Sequence, residues 1–310
     1  MTSQITTSPN HKVTKSYYHA SVTVELAFDV RAELGEGPLW DAVRKRLLFV
    51  DIMRGHVHEW DPVSGADAIF EAGQPVSAVA TTSTSDLILA VRDGFIRLNR
   101  TTGATTLVAI VEADRHDNRM NDGYCDARGR FWAGTMSMIH ERDMGGLYRL
   151  DPDGTVTQHL SGVTTSNGLD WSPDGRLLYY VDTGTGRIDV CDFEERAGTI
   201  GGRRPLVTIP PVQGKPDGLV VDADGYLWVA LWAGGAIHRY APDGRLDRAI
   251  PMPVTHPTKC AFGGPDLSDL YVTSAWTALS PDARAAQPNA GSVFHLRPGV
   301  KGQVVHAFAA

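Results

Sequence analysis

The chain has 310 residues, with 42% hydrophobic and 21% charged, the balance of a globular protein of one large domain or two ordinary ones. Its 29 basic and 36 acidic residues leave a net charge of −7 and no basic cluster, which speaks against a nucleic-acid partner. The polar opening M-T-S-Q-I-T-T-S-P-N-H-K-V-T-K-S lacks the apolar stretch of a secretory signal, and no run of about 18 apolar residues offers a membrane span.

Residues 1–18 read as a flexible tail and 19–310 as one folded domain. An early strand, V-T-V-E-L-A-F-D (22–29), comes first. Pairs of short β-rich runs then recur down the chain. L-L-F-V-D-I (47–52) is followed by H-V-H-E-W-D-P (56–62), and D-L-I-L-A-V (86–91) by F-I-R-L-N-R (95–100). G-R-F-W-A-G-T-M (129–136) leads to G-L-Y-R-L-D-P-D-G (146–154), and L-L-Y-Y-V-D-T (177–183) to R-I-D-V-C-D-F (187–193). Y-L-W-V-A-L-W (226–232) precedes A-I-H-R-Y-A-P-D-G (236–244), and D-L-Y-V-T-S-A-W (269–276) precedes S-V-F-H-L-R-P-G (292–299). Alternation punctuated by D-G and P-D-G is the strand and hairpin signal.

Six such units at a period of about 40 to 50 residues predict an all-β, six-bladed β-propeller with four-stranded blades around a central channel. One four-stranded sheet cannot bury both faces, whereas radial stacking covers every internal face and leaves only short edges. The strand at 22–29 is expected to close the ring by completing the last blade. A β-helix has a shorter coil, and a pair of β-sandwiches does not account for six similar windows. Cys125, Cys191 and Cys260 are odd in number and widely spaced with no CxxC pair, so they read as buried free thiols of a cytoplasmic protein.

Superposing the windows on their turn glycines (Gly129, Gly175, Gly225) brings Asn121, Asn167 and Asp217 to one repeat position. Glu36 matches in the first unit, and Ser77 and Thr258 match more loosely in the second and last. Equivalent positions at the starts of innermost strands face one another across a propeller axis. Every residue of this ring carries a side-chain oxygen. Two carboxylates with amide carbonyls suit one hard divalent cation, since two negative charges offset the 2+ and the amides add donors without repulsion. Any one Asn-Gly or Asp-Gly alone is a turn dipeptide; the coincidence across blades carries the reading. The same superposition assigns Asp222 and Asp224 to an ordinary connecting turn.

At these positions the sequence resembles the senescence-marker-protein-30/gluconolactonase family. The matching motifs are L-G-E-G-P-L-W (34–40), R-M-N-D-G-Y-C-D-A-R-G-R-F-W-A-G-T-M (119–136), S-N-G-L-D-W-S-P-D-G-R-L-L-Y-Y-V-D-T (166–183), P-D-G-L-V-V-D-A-D-G-Y-L-W-V-A-L-W (216–232) and C-A-F-G-G-P-D-L-S-D-L-Y-V-T-S-A (260–275). The resemblance implies one catalytic divalent metal (calcium, zinc, manganese, magnesium or iron) held by Glu36, Asn167 and Asp217. It implies substrate contacts from Arg119 and Asn121, and hydrolysis of sugar lactones. Some members carry a substrate-contacting Glu shortly after G-T-M. Here that place aligns with Ile139, and Glu141 two residues later is the candidate replacement.

In this reading Asp217 is both metal ligand and general base, accepting the proton of the attacking water. Arg119 supplies forked donors and Asn121 a donor and an acceptor for polyol oxygens. No G-x-S-x-G elbow, H-E-x-x-H or P-loop offers other chemistry. The rivals are a phosphotriesterase-like metal hydrolase on the same scaffold and a non-catalytic metal-binding propeller.

Overall fold

The computed structural model describes residues 22–309; the tail assigned to residues 1–18 lies outside them. The chain winds into six four-stranded antiparallel sheets. Five blades are built from four consecutive strands each, beginning at Gly35, Val76, Asn118, Ser166 and Lys215. In the sixth, the order runs Pro257–Gly263, Asp269–Ser274, Val293–Leu296 and then Glu25–Phe28 from the chain's beginning. Glu25 pairs with His295 and Leu26 with Phe294, so the early strand closes the ring as expected.

The inner strands are buried on both faces, and their sequences show it. In Leu227–Trp232 (LWVALW), Trp228, Val229, Ala230 and Leu231 are all fully buried, so the run is continuously apolar where a half-buried strand would alternate. Outer strands such as Thr105–Ile110 are mostly exposed, Leu107 and Ile110 included. The apolar layers lie between blades: Leu48, Val50, Val57, Val79, Leu89 and Leu98 join the first to the second. The three cysteines are buried free thiols. Among the described residues, no helix is long and apolar enough to cross a membrane.

Two features of the inner strands position the site. Each innermost strand slips register near its start. Pairing shifts between Glu36 and Leu39, Val76 and Ala78, Met120 and Gly123, Ser166 and Leu169, Pro216 and Leu219, and Pro257 and Cys260. These are β-bulges, which turn consecutive side chains toward the same side. At the opposite end, residues 301–309 form a strap. Ala223 N donates to Lys301 O, Gly302 N to Leu267 O, Phe308 N to Thr81 O, and Ala309 N to Gly129 O. The Gln303 amide reaches the Trp171 carbonyl, so the strap ties five blades across that face.

Candidate functional site

The site grows from the bulged starts of the innermost strands. Loops leading into them are braced by aspartates at the ends of the neighbouring strands. Asp51 accepts hydrogen bonds from the backbone N–H groups of Glu33 and Leu34, just before Glu36. Asp182 does the same for Thr164 and Thr165, just before Asn167. Glycines then allow close approach. A Cβ on Gly168 would lie 2.4 Å from Leu219 N and 2.7 Å from Asp217 O, so the fourth and fifth blades meet here only because residue 168 has no side chain.

The six ring positions divide by what their oxygens do. Ser77 Oγ donates to Ala90 O at 3.2 Å, and Thr258 Oγ1 donates to Gly35 O across the seam between the last and first blades. Both hydroxyls are committed to the scaffold. Asn121 is oriented at both ends: its oxygen accepts from Arg119 at 2.7 Å and its amide donates to Ser166 O at 2.8 Å. Asn167 spends its amide on Thr183 Oγ1 (3.0 Å) and Asp217 Oδ1 (2.5 Å). Its oxygen is therefore turned away from both, buried and without a hydrogen-bond partner. Glu36 accepts only from the N–H of Gly37 through Oε2, and Asp217 only from Asn167 through Oδ1. No protein donor among the described residues reaches Glu36 Oε1 or Asp217 Oδ2. Three of the six positions thus keep free acceptor oxygens, and they are the three expected to hold a metal.

One residue behind each ring position in sequence, the structure adds a layer that pattern reading missed. The residues are Gly37, Ala78, Asp122, Gly168, Gly218 and Lys259. Four are small; the other two form an ion pair. Lys259 Nζ donates to Asp122 Oδ1, and both side chains are almost wholly buried. The ammonium also lies 5.4 Å from the centre of the Tyr124 ring. Asp122 Oδ1 accepts a second bond from Gly123 N, while Oδ2 is buried without a partner. Asp170 lies beyond this pair and accepts from the N–H groups of Trp171 and Val221. Strict alternation would send residue 122 to the face opposite residue 121. The bulge overrides it, and the bulge is not visible in the residues themselves.

The electrostatics follow from the census of charges: four carboxyls (Glu36, Asp122, Asp170, Asp217) against two cations (Arg119, Lys259), all buried. Burial pushes the Glu36 carboxyl well above its ordinary range, with the Asp217 and Asp122 charges adding to the effect. Burial likewise raises Asp217 to about 8, opposed by its bond from Asn167. Asp170 is raised to about 7 by burial. Burial lowers the Arg119 guanidinium to about 10, still charged at neutral pH, with Glu36 and Asp217 favouring the charge. With all four carboxyls ionised the buried set would exceed its two cations by two negative charges, and Glu36, Asn167 and Asp217 each keep an oxygen unengaged by protein donors. Among the described residues no three His, Cys, Asp or Glu side chains gather in a group that could hold a metal ion.

Arg119 and Asn121 are therefore joined to each other and coupled to the carboxylates. Glu141 is different. It lies in the exposed turn after Phe131–Ser137, with Ile139 beside it 62% exposed, and makes no hydrogen bond or ion pair to the buried set. Trp232 stacks on His256 at 4.1 Å, and Trp276 on Arg284 at 3.6 Å. A cavity of about 160 Å³ lies under the C-terminal strap, lined by Tyr124, Asp170, Phe262, Gln303 and His306. It opens at the far end of the inner strands from the ring, and the unsatisfied oxygens place the candidate chemistry at the ring.

Comparison with known proteins agrees with this architecture. The family described as "SMP-30/Gluconolactonase/LRE-like region" matches residues 34–276. Regucalcin of Xenopus laevis is 37% identical over 297 residues, covering 94% of this chain and 99% of that protein. The solved structure of a calcium-binding protein, regucalcin, from Agrobacterium tumefaciens is 32% identical with a TM-score of 0.90, covering 94% of this chain and 98% of that one. A luciferin-regenerating enzyme is 30% identical with a TM-score of 0.88, covering 94% and 100%. With a family match across most of the blades and relatives aligned over nearly their whole length, the chain belongs to the SMP-30/gluconolactonase/LRE-like family.

Proposed function

We propose that the protein hydrolyses sugar lactones, aldonolactones such as glucono-, xylono-, arabinono- or galactonolactone, to the sugar acids, using one divalent metal ion held by Glu36, Asn167 and Asp217. The observation that carries this reading is the set of free acceptor oxygens on those three residues, above all the buried, unpartnered Asn167 Oδ1. A buried amide oxygen without a donor costs about 1–3 kcal/mol, a cost that a bound cation removes. Membership of a family described in part as gluconolactonase supports the lactone substrate. Calcium, zinc, manganese, magnesium and iron remain the candidate ions, and the Agrobacterium relative is named as calcium-binding.

A cation in this position supplies Lewis-acid polarisation of the lactone carbonyl and acidifies a bound water. The residues do the rest. Asp217 Oδ2, free of protein donors, accepts the proton of the attacking water as its oxygen bonds to the carbonyl carbon. The proton then passes to the ring oxygen as the C–O bond breaks and the sugar acid opens. Arg119 commits one terminal nitrogen, NH1, to Met120 O and Asn121 Oδ1. Its Nε and second terminal nitrogen stay free to donate to substrate oxygens. Asn121 keeps one amide N–H after bonding Ser166 O. Glu141, exposed after Phe131–Ser137, is the remaining candidate for contact with distal hydroxyls.

The test is a panel of pentono- and hexonolactones and an organophosphate triester, assayed with metal-stripped protein before and after reloading. Lactone turnover that vanishes on stripping and returns on reloading is the expected result. Turnover of the triester without lactones would instead make it a phosphotriesterase. Tight metal binding with no turnover on any substrate, the behaviour of a purely calcium-binding propeller, would overturn the enzymatic reading.

A further inference from the structure

Lysine is almost never fully buried unless paired, yet Lys259 is 1% exposed and among the largest fully buried side chains in the protein. Its position is set from three sides. The stem crosses the backbone next to Asp217: a Cβ on Gly218 would fall 2.3 Å from Lys259 Cβ and 2.4 Å from Cγ. The ammonium is bonded to Asp122 and lies beside the face of Tyr124. Asp122 is itself 2% exposed, and its second oxygen has no partner. The pair acts electrostatically on both Glu36 and Asp217. Asp122 is thus a further buried carboxylate acting on the two of the proposed metal site, and what bonds it is an ammonium on a tether.

We propose that Lys259 is a built-in cation that holds Asp122 out of metal coordination and limits the channel to one divalent ion. The inference rests on the metal reading above. A buried carboxylate left without its cation is strongly unfavourable, so Asp122 without Lys259 recruits another positive charge. A divalent ion supplied in excess is such a charge, drawn by the carboxylate oxygens in competition with a proton. Lys259 is a positioning residue in this scheme: it touches neither the lactone nor the reacting water. It spares the site a second ion that would compete for Glu36 and Asp217.

The experiment is calcium and manganese titration by calorimetry, with elemental analysis of dialysed protein, on the full chain and its variants. Wild type is expected to bind one ion, Lys259→Met two, and the double variant K259M/D122N one. A Lys259→Met variant that binds one ion with wild-type affinity, or none, overturns the proposal. Wild-type protein that binds no divalent ion removes the metal reading, and this inference with it. Should Lys259→Met fail to fold even in excess metal, Asp122→Asn decides. With Lys259 left uncompensated beside the site, it should weaken binding of the single ion by roughly tenfold. Unchanged affinity in that variant overturns the proposal as well.

Discussion

Asp217 and Asp222 sit at opposite ends of one innermost strand, five residues apart, and both are buried. Asp222 is fully buried and Asp217 is 6% exposed. Their surroundings are otherwise opposite. Asp222 accepts from the N–H groups of Asp224 and Tyr226, from the Trp228 indole, and twice from the Arg239 guanidinium at 2.7–2.8 Å. Asp217 accepts from Asn167 alone. The same side chain therefore serves as a clamp at the closed end and keeps an unengaged oxygen at the other. At the strapped end the Asp222 charge is matched by Arg239, whereas at the ring Asp217 has no cation bonded to it.

The largest effect that tests this contrast is on activity. Asp217→Ala should lower kcat/KM on the best lactone by about four orders of magnitude, since it removes the proposed metal ligand and general base together. The melting temperature should hold or rise. An Asp217→Ala protein that unfolds would make Asp217 a clamp like Asp222. Asp222→Ala should do the reverse and destabilise the fold by about 3–5 kcal/mol, lowering Tm by on the order of 10 °C. It leaves the Trp228 indole and two backbone N–H groups without acceptors, and Arg239 with Asp247 at 2.9 Å as its main partner. Thermal unfolding followed by circular dichroism reads both, and a Tm for Asp222→Ala within a degree of wild type would refute the clamp.

Much of this was legible in the residues because a propeller repeats itself. The paired strand runs and their D-G turns marked six blades, and the strand at Glu25–Phe28 had no partner except the last blade. Superposition separated Asp217 from Asp222 because turns and ring positions recur separately. Asp122, Lys259 and Asp170 were not legible, for a physical reason. A side chain's face is normally given by counting in twos, and a bulge adds one residue without any obligatory residue type. A reading that set the position after each ring residue side by side would have found four small residues, one acid and one base. The partition within the ring was also hidden. The repeat alone placed Ser77 and Thr258 in the ring only loosely, and the structure shows why they differ from Asn167: their hydroxyls are bonded to Ala90 O and Gly35 O.

The next effect is smaller and depends on pH. The folded-state value of Asp217, about 8, lies above its ordinary 3.8. The folded metal-free protein therefore holds a proton there that the unfolded chain has already released. That favours the fold at low pH and is lost progressively as pH rises from about 4 to about 8. Glu36, displaced in the same direction, adds to the loss. Metal-free Asp217→Asn has no such carboxyl, so its Tm minus that of wild type should grow by a few degrees between pH 5 and pH 8.5. A difference that stays flat, or shrinks with pH, would show that Asp217 ionises in the fold as freely as an exposed carboxylate. Metal affinity should run the opposite way and strengthen with pH, because the ion displaces those protons.

The smallest effect concerns how the ring addresses its substrate. Arg119 does two things with one fork: NH1 fixes Asn121 Oδ1 and Met120 O, and its other nitrogens remain free. Lysine keeps the charge that Glu36 and Asp217 favour, but its single ammonium cannot hold Asn121 and still present a planar pair of donors. Arg119→Lys should therefore raise KM for lactones by roughly tenfold while kcat falls much less, the signature of lost binding shared by ground and transition states. Metal affinity should be nearly unchanged, since the local charge is the same. A fall confined to kcat would move Arg119 from substrate binding to stabilisation of the tetrahedral oxyanion. A loss of metal would tie it to the clamp-like scaffold instead, joining it in kind to Arg239 at the strapped end of the fifth blade.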